Sequence, residues 1–251
     1  MKNIPVGLGL YSVRHSLEKD LEGTLKKVKD IGYSYVEFYG NVYPDAPRLN
    51  AALKGAGLTV VGWHVPYDKL TDDKIDGTIA FHKEIGNPNL VIPGLPQEMT
   101  KDAAAWRASA EWMGKVAQKL KAHGQTLGYH NHHTEFSPLD NGECAWDIVA
   151  AVPDIMLQLD NGNALNGGAD TVALLKKYSD RSKTVHLKPY SVTEGFSTMI
   201  GKDSIPWKDT FDELERQAYT EYALVEYEDE KYDEFEGVRL CLEALKEMGK
   251  A

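Results

Sequence analysis

The feature that most constrains this chain is a rhythm. Short apolar runs alternate with amphipathic stretches, eight times over. Val6–Tyr11, Tyr35–Phe38, Thr59–Val65, Leu90–Pro93, Thr126–His132, Ile155–Asp160, Thr184–Lys188 and Tyr222–Tyr227 read as strands: short, apolar and bounded by turn residues. Between them Leu17–Ile31, Ala46–Gly57, Asp73–Ile85, Lys101–His123, Ala145–Val152, Thr171–Tyr178, Trp207–Gln217 and Tyr232–Met248 carry helical spacing. Gly32, Gly86 and Gly124 close three of these, as C-terminal caps do. Strands that alternate strictly with helices pair in parallel, each helix serving as the crossover. Eight such units in 251 residues suit a closed barrel better than an open doubly wound sheet. No linker-like composition divides the chain, so residues 1–251 are expected to form one α/β domain, a single (β/α)8 TIM barrel. The segment Ser191–Ile205 is longer than most connections and is a candidate active-site flap.

Bulk properties exclude some functions. The formal net charge of −10 argues against general nucleic-acid binding, which needs clustered Lys and Arg to neutralise phosphates. No apolar run approaches ~18 residues, so no membrane span is expected. Met1–Val13 is too short and too quickly polar for a signal peptide and reads as a first strand. Cys144 and Cys241 lie far apart with no metal-ligand spacing, which suits reduced thiols in a cytoplasmic protein. A homo-oligomer is compatible with the sequence.

In such barrels chemistry gathers at the C-terminal ends of the strands. Polar residues fall there repeatedly: Glu37, His64 in Trp63-His64-Val65-Pro66, His130 through Glu135, Asp160, His186 with Lys188, and Glu226 with Glu228. Singly, each has a plain explanation. A strand-end Asp caps helices, a lone His is usually a hydrogen-bonded core residue, and strand-end Glu or Lys reaches solvent. Recurrence changes the weighing. Four successive strands end in carboxylates or imidazoles, and closure of a barrel would bring those ends to one pocket. Buried carboxylates crowd together at heavy cost unless a cation or protons compensate. One divalent metal ion, centred on Asp160, His186 and Glu226, is the expected solution. Carboxylates with imidazole suit Mn2+, Mg2+, Co2+ or Zn2+ without choosing among them. Strand alternation puts Lys188 on the same side as His186, where it would stabilise an oxyanion or shuttle a proton.

The order and placement of these residues resemble the xylose-isomerase-like barrel superfamily of sugar isomerases and epimerases. The likeness runs through Gly32-Tyr33-Ser34-Tyr35-Val36-Glu37, Trp63-His64-Val65-Pro66, Tyr129-His130-Asn131-His132, Leu159-Asp160, His186-Leu187-Lys188 and Val225-Glu226-Tyr227. The resemblance implies one divalent metal held by a Glu after strand five, Asp160, His186 and Glu226. The strand-five position departs: His130-Asn131-His132 stands where many members have Glu-Asn-His, as in a subgroup whose His-Asn-His is followed by Glu-Phe, here Glu135-Phe136. Glu135, His130 or water would complete the shell, with Glu135 preferred because it restores the carboxylate count. Glu226 would then act as one proton mover and His130 or His132 as another, with Lys188 near them. The implied activity is isomerisation or epimerisation of a ketose or keto-polyol through an enediolate. The alternative is a lyase or dehydratase, inosose-dehydratase-like or cleaving 3-keto-glycosides. Weaker readings are an endonuclease-IV-like DNA repair enzyme, against which the net charge weighs, and a non-catalytic sugar-binding barrel. Glu37 and His64 are expected to bind substrate hydroxyls at the barrel mouth. Trp63, Tyr11, Tyr67 and Trp207 are candidates for stacking on a sugar ring. The expected partner is a small sugar or polyol, with no nucleic acid and no membrane.

Overall fold

The structure, a computed structural model, describes residues 4–40 and 45–251. The expected domain span of 1–251 therefore includes residues 1–3 and 41–44, which lie outside the described residues. Strands β1 (Val6–Gly9), β2 (Tyr35–Tyr39), β3 (Thr59–His64), β4 (Asn89–Ile92), β5 (Thr126–His130), β6 (Met156–Asp160), β7 (Thr184–Leu187) and β8 (Tyr222–Val225) pair in parallel, in sequence order. β8 pairs back onto β1, so the barrel is closed. All four residues of β4 and of β7 are buried, as expected for strands covered on both faces.

The helices are α1 (Arg14–Lys19), α2 (Leu21–Ile31), α3 (Ala46–Ala56), α4 (Ile75–Glu84), α5 (Ala103–Lys121), α6 (Ala145–Ala150), α7 (Asn161–Asn166), α8 (Thr171–Lys177), α9 (Trp207–Gln217) and α10 (Glu234–Glu247). Their boundaries follow local chemistry. Asp20 divides α1 from α2: its backbone is extended and its carboxylate accepts from Gly23 N. Asp45 and Asp102 cap α3 and α5 in the same manner. Gly57 ends α3 at φ 71°, a left-handed turn that favours glycine. No helix among the described residues is long and apolar enough to cross a membrane.

Side chains alternate along each strand between the helix layer and the barrel interior. Leu8, Val36, Phe38, Trp63, Leu90, Leu127, Leu159, Val185 and Val225 are buried hydrophobics. The interior set includes Glu37, His64, His130, Gln158, Thr184 and His186, buried and linked by hydrogen bonds, with Asp160 buried beside them, 3.9 Å from His130. Small residues make room for them. A Cβ on Gly62 would collide with the Glu37 carboxylate, 2.3 Å from its Oε1. The flap candidate Ser191–Ile205 is held down. Ser191 and Gly195 form a backbone bridge, Met199 and Ile200 are buried, and Lys188 Nζ lies 5.1 Å from the centre of the Phe196 ring.

Candidate metal centre

The cluster forms because four consecutive strands present one ligand-type side chain each to the same point. His130 ends β5, Asp160 ends β6, His186 lies in β7, and Glu226 follows β8. One ligand atom from each lies within 4.8 Å of all the others, and all four residues are buried. His130 Nε2 is 3.9 Å and His186 Nδ1 is 4.0 Å from Asp160 Oδ2. Asp160 Oδ1 accepts from Asn163 N at 2.6 Å, which caps α7, whereas Oδ2 is buried and accepts no hydrogen bond. A buried carboxylate oxygen without a donor is costly. It is the observation that fits these residues to a cation, because carboxylate oxygens and imidazole nitrogens are the donors that divalent ions take.

The electrostatics agree. Burial, with Glu226 beside it, pushes Asp160 up to about 7, although Lys188 opposes the shift. His186 stands between two carboxylates, with Nδ1 2.7 Å from Glu226 Oε2 and Nε2 2.5 Å from Glu37 Oε2. Burial alone would lower its pKa, but Glu226 and Glu37 outweigh burial and hold it well above the usual range. Burial would raise Glu37, yet His64 and His186 pull it down to about 2. Burial likewise opposes ionisation of Glu226, and Lys188 with His186 keeps it ionised. Lys188 Nζ is 3.0 Å from Glu228 Oε1 and 4.0 Å from Glu226 Oε2, and these carboxylates with Asp160 hold it protonated despite its burial.

Several expected site residues lie elsewhere. Glu135 is not among the four clustered residues. It is buried, but its Oε1 accepts from Tyr129 OH at 2.9 Å, and its Oε2 accepts from His132 N at 2.9 Å and Thr134 Oγ1 at 3.0 Å. Those donors turn the carboxylate into a clasp on the strand-five loop, and His130 occupies the place in the cluster. Trp63 is not at the mouth. Alternation from His64 turns it outward, where it is 2% exposed, stacked on Phe38 and bonded to Gly40 O. Trp207 is packed in α9, its Nε1 bonded to Asp203. Glu37 and His64 are correspondingly no rim groups. They are buried beside the cluster, with His64 Nε2 3.2 Å from Glu37 Oε2. Tyr11 alone of the stacking candidates is exposed, its ring edge-on to Tyr39. His132 is exposed at the rim, with its ring 5.2 Å from that of His130. Desolvation lowers its pKa, Glu135 opposes, and the Lys188 charge adds to the lowering.

Sequence reading missed Gln158 and Asn131. Gln158 Nε2 donates to Glu37 Oε1 and Thr184 Oγ1, and its Oε1 faces His64 and His130. Asn131 Oδ1 accepts from Asp160 N at 2.9 Å, and its Nδ2 donates to Asp160 O at 3.2 Å, tying the ends of β5 and β6 together. The signal for Gln158 was present: a lone amide inside Met156-Leu157-Gln158-Leu159, two residues before Asp160 and so on its face.

A family model described as a xylose isomerase-like TIM barrel matches residues 25–248. The chain is 28% identical over 141 residues to an inosose dehydratase of Clostridium perfringens, a stretch covering 49% of this chain and 47% of that protein. It spans about half the length of the curated relatives it matches. Among solved structures it resembles a sugar phosphate isomerase/epimerase of Parabacteroides distasonis, with a TM-score of 0.81 and 23% identity, covering 97% of this chain and 98% of that one. It also resembles an L-ribulose 3-epimerase, with a TM-score of 0.71 and 18% identity, covering 98% and 94%. At these identities the structural likeness speaks for the fold.

Proposed function

The chain belongs to the xylose isomerase-like TIM barrel family, and from that premise we propose that it is a divalent-metal-dependent enzyme that removes a proton next to the carbonyl of a sugar-like keto-polyol. The observation that carries this reading is the convergence of His130, Asp160, His186 and Glu226 around a carboxylate oxygen that has no donor. Bound there, a divalent ion supplies a Lewis acid that polarises the carbonyl.

The remaining work falls to side chains. His132 reaches the rim as an imidazole whose lowered pKa leaves it neutral at neutral pH, which suits a base. Lys188 stays protonated between Glu226 and Glu228, so it faces developing negative charge as an electrostatic stabiliser. Glu226 is an ionised carboxylate from a different strand, a second group able to hold a proton.

Two fates follow proton removal. Elimination is favoured by the fate of strand five. Glu135 is clasped away, so an imidazole stands where a second metal-facing glutamate would serve a two-carboxylate epimerase. His132 can take the proton and return it to a departing oxygen. The inosose dehydratase relatives, matched over about half the chain, support the same outcome. Isomerisation or epimerisation is the second reading, favoured by His132 and Glu226 lying on different strand ends.

Keto sugars incubated with protein and Mn2+, Mg2+, Co2+ or Zn2+ in D2O separate these outcomes. Metal-dependent deuterium uptake beside the carbonyl is expected, with ultraviolet absorption of an enone if elimination follows. Uptake with an isomer and no enone would select the second reading. Neither exchange nor product with any keto sugar would sink both.

A further inference from the structure

We propose that Gln158 is a positioning residue that fixes which nitrogen of His130 carries the hydrogen, leaving the other nitrogen free toward the cation seat. The second half rests on reading the four clustered residues as that seat; the first half does not.

Gln158 is fully buried in the middle of β6, so all its amide groups must find partners inside the barrel. One end lies 2.8 Å from Glu37 Oε1 and 2.8 Å from Thr184 Oγ1. Glu37 Oε2 already lies against ring nitrogens of His64 and His186, and its Oε1 is an acceptor, so the amide NH2 must face it. The carbonyl oxygen therefore faces the opposite way. It lies 2.8 Å from His64 Nε2 and 3.1 Å from His130 Nδ1, and an oxygen can only accept from them. Both nitrogens must carry hydrogen. Glu37 Oε2, 3.2 Å from the same His64 nitrogen, imposes the same requirement on it independently.

For His130 the consequence is specific. Only a neutral imidazole can ligate a cation, and it carries hydrogen on one nitrogen and a lone pair on the other. With its one hydrogen on Nδ1, Nε2 holds a lone pair, and Nε2 is the atom 3.9 Å from the donorless Asp160 Oδ2. Two lone pairs thus face each other across the seat. A free imidazole favours the opposite arrangement, with hydrogen on Nε2, which would aim an N–H where a cation must bind. Glu37 receives the other end of Gln158, so the same amide also braces the carboxylate that orients His186.

Nitrogen-15 NMR of the metal-free protein with labelled histidine reads the tautomer directly, the His130 signals being those lost in His130→Gln. The expected result is hydrogen on Nδ1 and a bare Nε2. In Gln158→Leu the hydrogen is expected to move to Nε2, and affinity for Zn2+ by calorimetry to fall roughly 10–100-fold. Gln158→Met fills the space of the glutamine without its carbonyl acceptor and is expected to lose the wild-type tautomer as Gln158→Leu does, which separates loss of the acceptor from loss of packing. Hydrogen on Nε2 in the wild type, or an unchanged tautomer and affinity in Gln158→Leu, would overturn the proposal. Should Gln158→Leu fail to fold, the wild-type spectrum still decides. Hydrogen on Nδ1 in a protein that binds no Zn2+ would refute the cation seat while upholding the hold of Gln158 on His130.

Discussion

Replacing Gly62 with alanine tests how far the supporting carboxylate, rather than the ligands alone, holds the centre. Gly62 lies opposite Glu37 in the β2–β3 pair. A Cβ there would sit 2.3 Å from Glu37 Oε1, 3.0 Å from its Cδ and 3.1 Å from its Cγ. A glutamate tip elsewhere would swing aside at little cost. This one is 2% exposed and bonded to His186 at 2.5 Å and Gln158 at 2.8 Å. Relief requires a displacement of about 1 Å, which carries both bonds beyond hydrogen-bonding distance. Breaking a buried ion pair costs about 3–5 kcal/mol, so Gly62→Ala is expected to lose stability in that range. His186 would also lose the partner that aims it, and Mn2+ affinity should fall roughly 10–100-fold. Denaturant unfolding and calorimetry measure the two effects. The control is the same substitution in a Glu37→Ala background, where the new methyl group has room and the penalty should largely vanish. An equal penalty in both backgrounds, or wild-type stability and affinity in the single variant, would refute the reasoning.

Asp160→Asn should change sign with metal: its carboxylate is pushed up to about 7, so the metal-free wild type loses stability as pH rises from 3.8 toward 7. Metal-free Asp160→Asn should therefore melt higher than wild type at pH 8, and Mn2+ should raise the melting temperature of the wild type only; a lower-melting variant with a wild-type response to Mn2+ would contradict this. His132→Asn should lower kcat by about 10²–10⁴-fold while leaving Mn2+ affinity intact, as expected of a proton mover outside the ligand set, and equal losses in both would reassign it. His82, buried and lowered from 6.5 to about 4 by burial alone, binds its proton more readily in the unfolded chain. Stability should therefore drop as pH falls through that window, by about 2 kcal/mol between pH 7.5 and 5. His82→Gln should flatten that part of the pH–stability curve, and curves that run parallel would exclude the cause.

Much of the barrel was legible because strand and helix repeats differ in period, and α9 lies over Trp207–Gln217 as its pattern implied. The break at Asp20 was hidden because apolar spacing continues across it, while the cap is a backbone event. Helix α7 was hidden because Asn161-Gly162-Asn163 has loop composition; it forms under the cap that Asp160 supplies. At the site, Asp160, His186 and Glu226 were visible as polar ends of apolar runs. Glu135 was misplaced because counting carboxylates takes no account of Tyr129, whose hydroxyl claims one. Glu37 and His64 were read as rim groups because sequence gives the face of a strand residue but not its depth in the barrel. Depth depends on how neighbouring strands are staggered, as in the shift between Val36 and Glu37 against β3.

His186 takes one carboxylate from β2 and the other from just after β8, and those strands flank β1, where the two ends of the sheet meet. The bracing of this imidazole is thus complete only once the chain's first and last strands have come together. Capture of the proposed cation would then report on ring closure, and by mass action a bound ion would favour the closed ring over states in which the seam has opened. Fraying at the β1–β2 edge would loosen Glu37 from His186 before it disturbed any of the four clustered residues.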